Sequence, residues 1–219
     1  TQSMVYSYEQ VERCLRFAFK TAIKRHESAP WKGLSQAEKD QGFVGKVTLC
    51  GKTNVLMHVF GLWQRVFDQL KAEFPTVLTD YTHVDAVCVH MVECPERFDV
   101  IVTSNMFGDI ITDLAAVTQG GMGVAASANI NPNGLSMFEP IGGTAPAFTG
   151  LNQINPMAAI GAAHLMLDHF GYFKAAQDLE QAKIKVIQQM DSMLAAKMGF
   201  KTDEIGNMVC NEVYHMGSV

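Results

Sequence analysis

From Tyr8 to Lys24 the apolar residues Val11, Leu15, Phe17, Ala18, Ala22 and Ile23 fall at roughly helical spacing with charges between them, which predicts an amphipathic helix. His26 to Gly42 is polar, holds Pro30 and two glycines, and reads as a surface excursion. A strand is predicted over Lys46 to Cys50. From Asn54 to Phe74, Leu56, Val59, Phe60, Trp63, Phe67 and Leu70 recur at three- and four-residue steps, broken only by the adjacent Val59 and Phe60. That pattern predicts a long helix capped by Asn54 and stopped by Pro75. Thr76 to His83 reads as a strand, Asp85 to Val92 as a short helix, and Phe98 to Thr103 as a buried strand. The last of these delivers Asn105 and Asp109 to a strand-loop-helix junction, where open α/β sheets place ligands. Beyond Gly123 the pattern changes to short extended pieces, SANI and LSMFEP, joined by a turn at Asn131-Pro132-Asn133-Gly134. Helices follow, near 155–170, 173–197 and 203–216. There are no internal repeats and no low-complexity tract.

A chain of 219 residues, 48% hydrophobic, suggests one or two domains with a real core. Its formal net charge of −5 and the lack of a basic patch leave no electrostatic footprint for nucleic acid or an anionic membrane. No run approaches the roughly 18 apolar residues of a spanning helix, and the opening TQSMVYSYEQ lacks the basic and apolar parts of a secretory leader. Cys14, Cys50, Cys88, Cys94 and Cys210 form no Cys-x-x-Cys pair, which argues against a disulfide framework or a zinc site and fits a reducing cytoplasm. The seven histidines are scattered, and the thirteen methionines suit irregular core packing.

The chemistry concentrates between Thr103 and Gly150. Asp109 and Asp113 lie four apart on one helix face, where two acids repel unless a cation lies between them or water screens them. Oxygen ligands at that spacing suit Mg²⁺ or Mn²⁺. Acids early in a helix are also stabilised by the macrodipole, so spacing alone leaves the metal and the plain surface readings both open. Downstream, Gly142, Gly143 and Thr144 permit close backbone and hydroxyl contacts, and Pro146 stiffens the turn.

SNMFGDIITD, then FEPIGGTAPAFTG, then Asn155-Pro156, in that order, resemble the metal-dependent β-decarboxylating dehydrogenases. That family includes the isopropylmalate, isocitrate, homoisocitrate and tartrate dehydrogenases, and the cadence here is nearest to the isopropylmalate enzymes. The likeness runs from Val5 to near the C-terminus, interrupted around Ser28 to Gly42. It implies an α/β fold of isopropylmalate dehydrogenase type, present as an incomplete two-domain unit with sheets flanked by helices. Residues 1–118 would be part of a dimerisation and metal/substrate domain, and 119–219 the C-terminal part of the cofactor-binding domain. Family members begin with a cofactor-binding strand and loop and substrate-gripping arginines that have no counterpart before Tyr6, so the resemblance implies a C-terminal portion of a longer enzyme, inactive alone.

Residue by residue, the resemblance makes Asp109 and Asp113 metal ligands, with Asp85 of a neighbouring subunit completing the site. Lys52 would also reach across the dimer and help remove the substrate's hydroxyl proton, and Tyr6, rather than Tyr8, would protonate carbon. Taken alone, Asp85 is an ordinary acid at a helix start, Lys52 a solvated strand-end charge, and Tyr6 an aromatic ahead of a helix. Glu139, Gly142, Gly143, Thr144, Ala145, Pro146 and Asn155 match the cofactor loop. NAD-using relatives commonly carry an acid after the Ala-Pro pair, and NADP-using relatives a lysine and a tyrosine. Ala147 and Phe148 meet neither pattern, and NAD is favoured over NADP. The implied reaction is oxidation and decarboxylation of a small 2-hydroxy acid bearing a 3-carboxylate, foremost 3-isopropylmalate in leucine biosynthesis. The alternatives are the isocitrate, homoisocitrate and tartrate or malate activities, or a non-catalytic structural or regulatory homologue. The implied partner is a second copy, met through the helices beginning near Tyr8 and Asn54.

Overall fold

The first helix, α1 (Tyr8–Ser28), starts at a capping box in which Ser7 Oγ accepts from Gln10 N and Gln10 Oε1 accepts from Ser7 N, both at 3.3 Å. In the computed structural model, which describes residue 1 and residues 3–217, the chain divides into two units, Thr1–Leu114 and Ala115–Val219.

In the first unit, α1 buries Val11, Leu15, Ala18, Phe19 and Ala22, while Phe17 points to solvent. A short helix, α2 (Gln36–Asp40), sits in the polar excursion behind its own capping box, Ser35 with Glu38. The central strand β1 (Gly45–Gly51) is followed by α3 (Met57–Glu73), β2 (Val77–His83), α4 (Val84–Glu93), β3 (Val100–Val102) and α5 (Asn105–Thr118). The sheet is parallel in the order β2-β1-β3, with Gly51 opposite His83 and Leu49 opposite Val102. Because β1 lies between two neighbours and under helices, six of its seven residues are buried, the polar Thr48 among them. Over it pack α1 and α3. Phe19 stacks on Phe74 at 5.0 Å and meets Phe67 at 5.4 Å, and Phe60 stacks on Phe107 of α5 at 5.3 Å.

Two expectations change here. The apolar faces of α1 and α3 are covered inside this unit, so they are not free to form a dimer interface, because the sheet beneath them already takes those side chains. Nor does Asn54 cap α3. Val55 N and Leu56 N both donate to Lys52 O, at 3.1 and 2.8 Å, and this turn delays the helix to Met57 with Leu56 at its cap. The excursion is tied down by Trp31, whose Nε1 donates to Glu96 O at 2.9 Å while the Lys46 ammonium lies 4.6 Å over its ring.

The second unit holds an antiparallel ribbon of β4 (Ala126–Asn129) and β5 (Met137–Pro140), then α6 (Met157–His169), α7 (Phe173–Ile187) and α8 (Thr202–His215). The ribbon's turn is closed by Asn131, whose Oδ1 accepts from Asn133 N at 3.0 Å. Its core is a small cluster of Met157, Ala182, Val186, Met198, Ile205 and Val209. The expected helix to residue 197 stops at Ile187. Beyond it, Asp191 N bonds Met198 O (3.1 Å) and Ala196 N bonds Gln153 O (2.9 Å), so tertiary partners replace helical ones.

Candidate active site

The carboxyl ends of the three parallel strands gather most of the expected catalytic residues. At the end of β1, Gly51 lies against α3 and β2, where an added Cβ would stand 2.8 Å from the Phe60 ring and 3.1 Å from Tyr81 Oη. The close approach leaves room only for glycine there. Lys52 follows, in a turn pinned by Tyr81, whose hydroxyl accepts from Thr53 N (3.0 Å) and donates to Thr53 Oγ1 (2.9 Å). β2 runs directly into α4, whose first turn carries Asp85. The Lys52 ammonium meets Asp85 Oδ1 at 2.5 Å, with Lys52 mostly covered and Asp85 68% exposed. That hydrogen bond holds the Asp85 carboxyl below its usual range. At the end of β3, Thr103 Oγ1 donates to Cys50 O at 2.8 Å and ties the strand to β1. Asn105 then opens α5, its amide 3.5 Å from Asp109 Oδ2, and Asp109 and Asp113 lie exposed one turn apart.

The three aspartates do not meet. Among the described residues no group of three His, Cys, Asp or Glu side chains could hold a metal ion, and Asp85 is engaged by Lys52. Asp109 and Asp113 take part in no ion pair among those residues, and their oxygen donors fit a hard divalent cation. Tyr6 makes its ring contact with α3, edge-on to Trp63 at 6.1 Å, and no hydrogen bond among the described residues joins it to Lys52 or the aspartates.

In the second unit the glycine-rich loop leaves β5. Glu139 Oε1 accepts from Asn129 Nδ2 across the ribbon at 3.4 Å. Gly143 has a φ of +58° with nothing within 4 Å of an added Cβ. Ala145 is left-handed (φ 42°, ψ 62°), a conformation that costs a residue with a side chain about 1 kcal/mol. Pro146 then opens a single 3₁₀ turn, Pro146–Phe148. Beside the loop lies an open groove of about 240 Å³, lined by Thr144, Ala145, Phe148, Thr149, Gly150, Asn152, Ile154 and Thr202. Of the polar side chains in this lining, Asn152 is bonded to Asp203 and Thr202 Oγ1 donates to Ile154 O at 2.7 Å, which leaves Thr144, Thr149 and the Phe148 ring as groups that could meet a neutral, hydrogen-bonding ligand. Asn155 is placed differently. It is buried, Oδ1 accepting from Met157 N at 3.0 Å and Nδ2 donating to Met193 O at 2.9 Å, so its side chain is committed to anchoring α6. Sequence reasoning missed Asn152 and Thr202. The signal for Asn152 is modest: asparagine is enriched among residues with positive φ, and its φ is 54°.

The sequence matches the family described as isocitrate/isopropylmalate dehydrogenase over residues 1–209. The chain belongs to this family. It is 44% identical over 205 residues to the 3-isopropylmalate dehydrogenase of Streptomyces griseus subsp. griseus, covering 93% of this chain and 53% of that protein. To the 3-isopropylmalate dehydrogenase of Thermobifida fusca it is 42% identical over 221 residues, covering 99% and 56%. Among solved structures it superposes on isocitrate dehydrogenase from Methylococcus capsulatus with a TM-score of 0.83 at 33% identity, covering 97% of this chain and 58% of that one. It also superposes on a Thermus thermophilus protein, TT0538, with a TM-score of 0.81 at 30% identity, covering 97% and 40%. The chain therefore spans about half the length of the curated relatives it matches, and its α/β architecture is that of this family.

Proposed function

We propose that this chain contributes the metal-binding and adenosine-binding parts of an NAD-dependent 3-isopropylmalate dehydrogenase, in which Asp109 and Asp113 hold Mg²⁺ or Mn²⁺. The observation that carries the reading is the contact of Lys52 with Asp85, distant in sequence, at the carboxyl ends of β1 and β2, beside β3, whose end leads into the α5 helix that carries Asp109 and Asp113. The curated relatives support isopropylmalate over isocitrate as substrate, since the S. griseus and T. fusca enzymes, at 44% and 42% identity, are 3-isopropylmalate dehydrogenases.

A divalent ion held by Asp109 and Asp113 would supply a Lewis acid, and a dinucleotide held at the Glu139–Pro146 loop would supply the hydride acceptor. Lys52 of the partner subunit, as its neutral amine, would help remove the hydroxyl proton, and Tyr6 would deliver a proton to the carbon left by CO₂. Thr53 and Tyr81 hold the Lys52 turn in place. Glu139, Gly142, Gly143, Thr144, Ala145 and Pro146 receive the cofactor's adenosine end, while Asn155 holds the loop's far anchor.

The partner is a second copy. α4 and α5 bury Val87, Met91, Phe107 and Ile111 but leave Val89, Val92, Met106 and Ile110 exposed beside Asp85 and Asp109. Pairing through these helices would cover that apolar surface and carry one chain's Asp85 toward the other's Asp109 and Asp113. No helix of the described residues is long and apolar enough to cross a membrane, and the free cysteines suit a reducing cytoplasm.

Calorimetry with Mg²⁺ and Mn²⁺ tests the site. Asp109→Asn should weaken binding by at least about tenfold with the circular dichroism unchanged, and unaltered affinity would remove the metal assignment. Turnover of isopropylmalate, isocitrate, homoisocitrate and tartrate by the enzyme containing this sequence decides the substrate.

A further inference from the structure

The groove beside Thr144 has no charged side chain in its lining, and position 147, where an acid would reach a ribose, is alanine. A dinucleotide's adenosine ends in either a 2′,3′-diol or a 2′-phosphate. A carboxylate can accept from both hydroxyls of the diol and repels the phosphate. A fixed carboxylate comes from another element, tied to the groove wall. Asn152, in the groove wall, is latched to the start of α8 by three hydrogen bonds: Thr202 N to Asn152 O at 3.1 Å, Asp203 N to Asn152 Oδ1 at 3.2 Å, and Asn152 Nδ2 to Asp203 Oδ1 at 2.7 Å. Thr202 itself lines the groove, so the Asp203 carboxylate is held next to the wall by one residue on either side. Glu204 N also donates to Asp203 Oδ1, at 2.9 Å. Both donors fall on that oxygen, which leaves Oδ2 to accept from a ligand.

Glu204 turns back to accept from Lys201 N at 2.8 Å, and both residues line the neighbouring groove. Asp203 is thus the carboxylate hydrogen-bonded to the groove wall, through Asn152. We propose that Asp203 supplies the carboxylate that position 147 lacks, making the groove selective for an adenosine with a free 2′,3′-diol. The assignment rests on reading the Thr144–Asn152 loop as the cofactor site, and it names the residue that distinguishes the two dinucleotides.

Calorimetry on the 219-residue chain with ADP-ribose and 2′-phospho-ADP-ribose tests it. The native chain should bind ADP-ribose about tenfold more tightly. Asp203→Asn keeps an acceptor for Asn152 and Glu204 and therefore the local fold, yet should lose most of that preference, and Asp203→Lys should reverse it. Equal affinity of the native chain for both probes, or a preference that survives Asp203→Asn, overturns the role of Asp203 while the cofactor loop stands. Binding of neither probe by folded native chain overturns the cofactor loop, and this assignment with it.

Discussion

The first unit buries Phe19, Phe60, Trp63, Phe67 and Phe107 in one continuous core around a three-stranded parallel sheet, whereas the second packs methionine, alanine, valine and isoleucine around helices beside a two-stranded ribbon. The second unit's Phe170, Tyr172 and Phe173 are exposed. Each buried aromatic removes roughly 150–250 Å² from water, and a lone two-stranded ribbon is marginal in water. Backbone strain follows the same division. Ala145, Asn152 and Ala196, the non-glycine residues of positive φ among the described residues, all belong to the second unit. Lys52 and Asp85 thus stand at the ends of the parallel strands, while Gly143 and Ala145, assigned to the cofactor, stand on a loop of positive φ. Rigidity accompanies chemistry in the first unit, and the second is the one whose stability a bound nucleotide should raise most.

The largest test of that contrast is Phe60→Ala. Phe60 is 1% exposed and stacked on Phe107, and its loss should lower stability by about 3–5 kcal/mol in urea titration. A cost below about 1 kcal/mol would remove the claim that this core is the stronger. Next is Asn155→Ala, which leaves Met157 N and Met193 O without their partner inside the second unit. We expect a loss of about 1–3 kcal/mol, seen as faster hydrogen exchange at the start of α6 and unchanged exchange in β1. Faster exchange in both units alike would break the comparison. Ser7→Ala should cost about 1 kcal/mol by uncapping α1, read from the urea midpoint. Smallest is an acid effect. Arg16 reaches from α1 to Glu73 at the end of α3, Nη1 to Oε2 at 2.8 Å, and holds that carboxyl below its usual 4.5. A depressed carboxylate contributes stability that is present above pH 4.5 and is lost as pH falls through its lower folded value. Arg16→Met should flatten the midpoint-against-pH curve below 4.5, and an unchanged slope would show that the bridge has no such role.

Much of this was legible in the residues. The spacing of Val11, Leu15, Ala18 and Ala22 announced α1, and Val47, Leu49 and Cys50 announced β1, because burial on one stripe or on both faces leaves a mark in the sequence. Ser35 followed by Glu38 is a readable capping signature, yet α2 escaped notice inside a stretch dominated by Pro30 and glycines. The end of α7 was not readable, since Met190, Met193, Leu194 and Met198 keep helical spacing while the backbone there bonds elsewhere, Ala196 N to Gln153 O and Asp191 N to Met198 O. The Lys52–Asp85 contact was equally hidden. It depends on the parallel register of β1 with β2, which neither segment records by itself.

Both tryptophans, Trp31 and Trp63, lie in the first unit, the latter buried against Tyr6. Intrinsic tryptophan emission therefore reports on one half of this polypeptide and is blind to the other. A melting curve followed at that wavelength will trace the parallel sheet alone, while far-ultraviolet dichroism will sum both halves. Any gap between the two curves is a direct optical reading of how independently the ribbon and its helices melt.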